Sequence, residues 1–97
     1  MIVNRYTIPV KPGKMDQAVK MALEGSKNVW SIYPAKVYTS NFGTMDTLII
    51  DCEFKDVTEQ QKLTAQVVVM EEWASWAAKF NELMLGQGTN EIWNLME

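Results

Sequence analysis

Residues 47–54 read TLIIDCEF, and the alternation within this stretch decides the fold class. One side of the stretch is apolar and consists of Leu48, Ile50, Cys52 and Phe54. The other side is mixed and consists of Thr47, Ile49, Asp51 and Glu53. A period of two residues is typical of a β-strand that packs one face on a core. We therefore predict a half-buried strand here.

The sequence before this strand predicts two more strands and a helix. Residues 35–42 form a strand, joined to residues 47–54 by a hairpin loop over residues 41–46 that contains the only glycine between them. Residues 2–10 also alternate as a strand. Apolar residues then recur at helical spacing from Pro12 or Lys14 to Val29, which predicts an amphipathic helix.

The sequence after residue 54 predicts one long helix and a last strand. Asp56 or Thr58 caps the helix, which runs to about Leu85 and ends at Gly86-Gln87-Gly88. Residues 89–96 form the strand. The helix carries two apolar stripes about 120° apart. They consist of Leu63, Val67, Met70, Ala74 and Ala77, and of Val69, Trp73, Trp76, Phe80 and Leu83. One sheet cannot cover both stripes, so we expect this helix to contact a second surface, either the first helix or another chain.

The order β-α-β-β-α-β is that of the ferredoxin-like α+β fold, here predicted as a single domain over residues 1–97. Right-handed connections place both helices on one face of a four-stranded antiparallel sheet. The opposite, open face then presents a mixture of charged and bulky apolar side chains. It includes Arg5, Ile49, Asp51, Glu53, Trp93 and Leu95. A second copy of the chain would cover these apolar groups, so we expect a homodimer of the dimeric α/β-barrel type.

Composition excludes several classes of function. The net charge is −3 and no basic cluster is present, which argues against nucleic-acid binding. The chain has no histidine and no phosphate-binding glycine motif, so we predict neither a metal nor a cofactor. The single cysteine, Cys52, fits a reducing compartment. With no secretory signal and no apolar run longer than residues 67–70, we expect a cytoplasmic protein without membrane contact.

Two segments resemble a known superfamily. Val3-Asn4-Arg5-Tyr6 followed by Lys11-Pro12-Gly13 is similar to the dimeric α/β-barrel proteins, which include NIPSNAP-like and antibiotic-biosynthesis monooxygenase-like groups. Residues 71–77 (EEWASWA) resemble the second helix of the NIPSNAP-like proteins. Resemblance to the monooxygenase-like group implies a ligand between the helices and the sheet, lined by an Asn on the first strand and a Trp on the second helix. Asn4 matches the first, and Trp76 the second, with Trp73 as its rival. Haem-degrading relatives carry a histidine on the second helix, which this chain lacks.

Two sets of residues are candidates for a site. The ligand-pocket candidates are Asn4, Tyr6, Trp73, Trp76 and Asn94, although core packing with ordinary hydrogen bonds explains each of them more simply. The polar candidates inside the barrel are Arg5, Asp51 and Glu53. A cross-strand ion pair is the simpler interpretation of this second set, and a carboxylate base in a dry site is the alternative.

Three functions remain open from the sequence. The first is a small homodimeric barrel protein that binds a small hydrophobic or aromatic ligand without catalysis. The second is a cofactor-independent monooxygenase, in which the substrate itself activates oxygen and the protein supplies a dry pocket, a hydrogen bond and orientation. The third is a non-catalytic protein-interaction module, which would keep an exposed apolar patch along the second stripe of the long helix.

Overall fold

The computed structural model describes residues 1–31, 35–40 and 45–96. Seven elements follow one another along the chain: β1 (Ile2–Pro9), α1 (Met15–Asn28), β2 (Ala35–Thr39), β3 (Thr47–Phe54), α2 (Val57–Val68), α3 (Glu71–Asn81) and β4 (Thr89–Asn94). This is the predicted α+β ferredoxin-like fold, with three helices in place of two. None of the helices in the described part of the chain has an apolar stretch long enough to cross a membrane.

The four strands form one antiparallel sheet in the order β2-β3-β1-β4. The bounds of β3 are those that its alternation predicts. Paired residues on neighbouring antiparallel strands point to the same face, so the register assigns both faces. Tyr6 lies opposite Ile50 and Asn90 on the face that the helices cover. Arg5 lies opposite Asp51 and Glu91 on the open face.

The core lies between the sheet and the helices. Three small residues on α1, Ala18, Ala22 and Gly25, are buried and allow this helix to approach its neighbours closely. The sheet and the remaining helices contribute larger buried side chains. These include Ile8, Val10, Leu48, Ile50, Phe54, Val67 and Phe80.

The predicted long helix is wrong, because the chain breaks it between Val68 and Glu71. Met70 has extended backbone angles (φ −74°, ψ 136°) and precedes the first turn of α3. Val67 and Phe80 would lie about 140° apart round an uninterrupted helix, yet both are buried in the one core. The break therefore turns the second stripe inward, and the second surface that we expected for this segment is the first helix, which α3 contacts. Only Val69, at the break itself, is left 81% exposed.

The other boundaries differ from the predictions by a few residues. β2 ends at Thr39 and β4 at Asn94, both earlier than predicted. Residues 41–44 of the predicted hairpin loop lie outside the described residues. Asp56 rather than Thr58 caps α2, since its side chain accepts a hydrogen bond from the Glu59 backbone N–H at 2.8 Å.

Candidate ligand cavity

A cavity of about 520 Å³ lies between the covered face of the sheet and the helices. Its volume is within the range of small-molecule sites. The sheet contributes Tyr6, Ile8, Ile50 and Cys52, and the rest of the lining comes mostly from α2, α3 and the segment that leads into β4. No charged side chain belongs to the lining among the described residues. The site is therefore suited to an uncharged, largely apolar guest.

Four aromatic rings form the helix side of the cavity. Trp30 meets Trp76 edge to face with ring centroids 4.3 Å apart, and Trp73 with centroids 6.1 Å apart. Trp76 is stacked between Trp73, at 5.6 Å, and Phe80, at 4.7 Å. The Trp76 indole N–H donates to the Met21 carbonyl oxygen at 2.9 Å, which ties α3 to α1. These contacts make a rigid aromatic wall.

Gly25 makes this wall possible. A Cβ atom at this position would lie 2.4 Å from two ring carbons of Trp30 and 2.8 Å from the Trp76 indole nitrogen. Any larger residue would have to push the indole rings away. The Trp30 indole N–H is itself buried and has no hydrogen-bond partner among the described residues. A buried unpaired donor costs about 1–3 kcal/mol, so Trp30 is held there by packing rather than by a hydrogen bond.

A short series of linked hydrogen bonds forms the polar part of the cavity. The Asn4 side-chain amino group donates to the Tyr6 hydroxyl oxygen at 3.2 Å. The Asn90 amino group donates to Asn4 Oδ1 and, at 3.3 Å, to the Arg5 carbonyl oxygen. Tyr6 and Asn90 line the cavity, whereas Asn4 lies behind them and is 2% exposed.

Burial raises the pKa of both ionisable side chains in the described part of the lining, Tyr6 and Cys52. It raises the pKa of the Tyr6 hydroxyl, while the hydrogen bond from Asn4 acts in the opposite direction. Burial also raises the pKa of the Cys52 thiol to about 12, with a smaller contribution from Asp51. Neither side chain therefore brings charge into the cavity at neutral pH.

The Cys52 thiol should react slowly with thiol reagents while the protein is folded. At pH 8 we expect alkylation by iodoacetamide to be at least about 100-fold slower than in denaturant, because the thiolate is the reactive form. In the folded protein the pKa of the thiol lies above its ordinary value of 9.0. The stability that the protonated thiol contributes is therefore lost as the pH rises from about 9 toward 12. Mass spectrometry of timed labelling measures the rate, with Cys52→Ala as the background. Equal rates in the folded and unfolded chain would contradict the buried position.

The structure separates the residues that the sequence singled out. Tyr6, Trp73 and Trp76 meet at the cavity, and Asn4 supports Tyr6 from behind. Asn94 does not line the cavity; it is exposed and lies opposite Ile2 at the end of β4. The three barrel-interior candidates lie on the open face of the sheet.

On that face Arg5 and Asp51 form a bidentate ion pair, with Nε–Oδ1 at 2.8 Å and Nη2–Oδ2 at 2.9 Å. The hydrogen bond to Asp51 raises the pKa of the Arg5 guanidinium, which stays charged. Glu53 lies 3.8 Å from Lys36 instead. Among the described residues no three aspartate, glutamate or cysteine side chains come together as a metal site requires. The Arg5–Asp51 pair is the cross-strand ion pair that the simpler interpretation of these residues predicted.

Asn90 and Trp30 are among the cavity residues that the sequence-based candidates did not include. Asn90 lies on the same side of β4 as Ile92 and Asn94. Extending this alternation by two residues toward the N-terminus would have placed Asn90 on the cavity face. Trp30 follows α1 and belongs to no periodic pattern. Only the folded chain brings it beside Trp73 and Trp76.

Comparison with solved structures identifies proteins that have the same fold. No protein-family model matches the chain, and no curated protein matches it. A NIPSNAP domain protein from Burkholderia xenovorans is 14% identical with a TM-score of 0.85, over 99% of this chain and 95% of the other. A NIPSNAP family protein from Agrobacterium tumefaciens is 13% identical with a TM-score of 0.86, over 99% and 93%.

A candidate antibiotic biosynthesis monooxygenase from Nitrosomonas europaea is 11% identical with a TM-score of 0.76, over 100% of both chains. These two groups are the ones that the sequence resembles. At such low identity, the similarity shows a shared fold and not a shared activity.

Proposed function

We propose that this protein binds a small, uncharged hydrophobic or aromatic ligand in the cavity between helices and sheet, and does so as a homodimer. The observation that carries the proposal is an aromatic-walled cavity of about 520 Å³ whose described lining holds no charged side chain. An unfilled apolar cavity costs stability in proportion to its volume. A flat apolar guest would fill it and contact the faces and edges of the Trp rings.

The open face of the sheet supports the homodimer. Tyr38, Trp93 and Leu95 are 46%, 53% and 47% exposed, although such large apolar side chains are usually covered. Tyr38 lies on β2 and Trp93 on β4, so they occupy opposite edges of the face, with the Arg5–Asp51 pair between them. A second copy turned by a two-fold axis would cover these edges, and the mixed charges of the face suit self-association.

The two alternatives have less support. In a cofactor-independent monooxygenase of the antibiotic-biosynthesis type, Asn4 would hydrogen-bond the substrate directly. Here its amide already bonds Tyr6 and Asn90 and is not part of the lining. A protein-interaction module would expose the second apolar stripe of the long helix. The helix break instead turns Trp76 and Phe80 of that stripe toward the core.

Native mass spectrometry on protein purified from its producing cells tests the proposal first. We expect a mass of two chains with a small organic adduct. Titration with fluorene, followed by tryptophan fluorescence, then measures binding to the cavity. Ala77 lines the cavity, so Ala77→Phe should weaken fluorene binding by about tenfold or more through loss of space. Ala78→Phe is the matched control, because Ala78 is exposed on the same helix and lies outside the lining.

Each outcome decides one part of the proposal. A folded wild-type chain that does not bind fluorene, and that carries no adduct, would contradict the ligand-binding function. Equal loss of binding in the Ala77→Phe and Ala78→Phe variants would place the bound molecule elsewhere. A monomeric mass would contradict the homodimer and leave the cavity untouched.

A further inference from the structure

At the polar part of the cavity each side chain donates in the same direction along the series of hydrogen bonds. A backbone carbonyl oxygen determines this direction. The Arg5 carbonyl oxygen can only accept, so Asn90 must present its amino group there. The same amino group faces Asn4, which must therefore turn its own side-chain oxygen toward Asn90. This orientation leaves the Asn4 amino group facing Tyr6, where it donates to the phenol oxygen. Neither side-chain amide in this series of hydrogen bonds can be turned over without placing two donors or two acceptors together.

The Tyr6 hydroxyl consequently accepts from Asn4 and keeps its own proton for another partner. A hydroxyl group has one O–H donor besides its acceptor sites. The described residues provide no acceptor for this proton, and Tyr6 lines the cavity. An oxygen on a molecule in the cavity would accept this proton and complete the series of hydrogen bonds that starts at the Arg5 carbonyl.

The other N–H and O–H groups near the aromatic wall are less suitable donors. The Trp76 indole N–H already donates to the Met21 carbonyl. The Trp30 indole N–H has no partner, but it is buried without accessible surface, so a molecule in the cavity does not reach it in this arrangement. The Arg5 guanidinium bonds Asp51 on the opposite face of the sheet. Thr64, Asn81 and Thr89 also line the cavity and carry donors, but the hydrogen bonds from Asn90 and Asn4 orient only the Tyr6 hydroxyl.

We propose that Tyr6 determines the specificity of the cavity by donating a hydrogen bond to a neutral oxygen acceptor, such as a ketone oxygen, on an aromatic ligand. Asn90 is a positioning residue that orients this hydroxyl through Asn4. The inference rests on the proposed function, because it assigns the polarity of the same cavity. It predicts preference for an aromatic ketone over the matching hydrocarbon, and poor binding of carboxylates, for which the described part of the lining offers no cation.

A pair of probes that differ by one carbonyl group tests the donor. Fluorene and 9-fluorenone have nearly the same ring system, and only the second has an oxygen acceptor. The Tyr6→Phe variant should bind 9-fluorenone about fivefold more weakly than the wild-type chain, as expected for one neutral hydrogen bond. Its affinity for fluorene should be unchanged. Tyr38→Phe, which removes a hydroxyl on the open face of the sheet, should change neither affinity.

The infrared carbonyl band of bound 9-fluorenone supplies a readout that packing alone does not move. In the wild-type complex the band should shift to lower frequency, and in the Tyr6→Phe complex it should return to its position in an apolar solvent. An unshifted band in the wild-type complex would overturn the inference. So would equal weakening of both probes by Tyr6→Phe, since the ring rather than the hydroxyl would then matter.

Asn90→Ala tests the positioning role. With Asn90 removed, the Asn4 amide is free to turn over, and the preference for 9-fluorenone over fluorene should fall to about twofold, whereas the lost lining side chain should affect both probes equally. Glu91→Ala, at the neighbouring exposed position of β4, is the control. An unchanged preference and band in Asn90→Ala would refute the relay through Asn4. Wild-type chain that binds neither probe would refute the proposed function itself, whereas binding of both with equal affinity would refute only the role of Tyr6.

Discussion

Replacing Trp30 by alanine is expected to lower the free energy of unfolding by about 3–5 kcal/mol. Trp30 is 3% exposed and its ring contacts both Trp73 and Trp76, so its removal would leave a large hole beside an existing cavity. Small domains have a total stability of about 5–15 kcal/mol. Urea denaturation followed by circular dichroism measures the loss, and a variant that is unfolded without urea would agree with the upper end of it.

Trp30→Phe keeps the prediction measurable if the alanine variant does not fold. This variant should cost clearly less than the alanine variant, because a ring is retained and the lost indole N–H makes no hydrogen bond among the described residues. Trp76→Phe provides the matched comparison. It should be more destabilising, since it removes the hydrogen bond from the Trp76 indole N–H to the Met21 carbonyl. A Trp30→Ala variant as stable as the wild-type chain would contradict the aromatic wall.

Replacing Trp93 by aspartate is expected to weaken the proposed homodimer by about 100-fold or more. The side chain is about half exposed on the open face of the sheet, and large aromatic residues that become buried in an interface commonly contribute about 2 kcal/mol or more. A carboxylate in its place would be desolvated in the interface, on the same face of β4 as Glu91. Sedimentation velocity over a range of concentrations measures the dissociation constant.

Ile92→Asp is the control for this substitution. Ile92 neighbours Trp93 on β4 and is 48% exposed, but it lies on the opposite face of the sheet. It should leave the dimer intact if the open face is the interface. Dissociation by Ile92→Asp with an intact Trp93→Asp dimer would place the contact between chains on the helix side.

The fold could be predicted because it follows from local periodicity. The alternation of residues 47–54 specified β3 to the residue, and Asp56 with Glu59 marked the start of α2. The helix break at Val69-Met70 could not be predicted in this way. No glycine or proline interrupts the segment, and the break follows from packing, since it allows Val67 and Phe80 to share one core.

The candidate site was only partly accessible to sequence reasoning. Tyr6, Trp73 and Trp76 were recognisable by residue type and by the face on which they fall, and the structure places them at the cavity. The roles of Asn4 and Asn90 depend on a pairing between strands that lie more than eighty residues apart in the chain. A strand pattern shows which face a side chain occupies but not which strand lies beside it.

The sequence by itself determined the order of elements, the face of each strand that is apolar, and the absence of histidine chemistry. Only the tertiary structure decided that the helix breaks, that Trp30 packs against Gly25, and that an uncharged cavity remains beneath the aromatic rings. The physical reason is the range of the interactions. Periodicity and capping act within a few residues, whereas cavities and hydrogen-bond direction arise where distant segments meet.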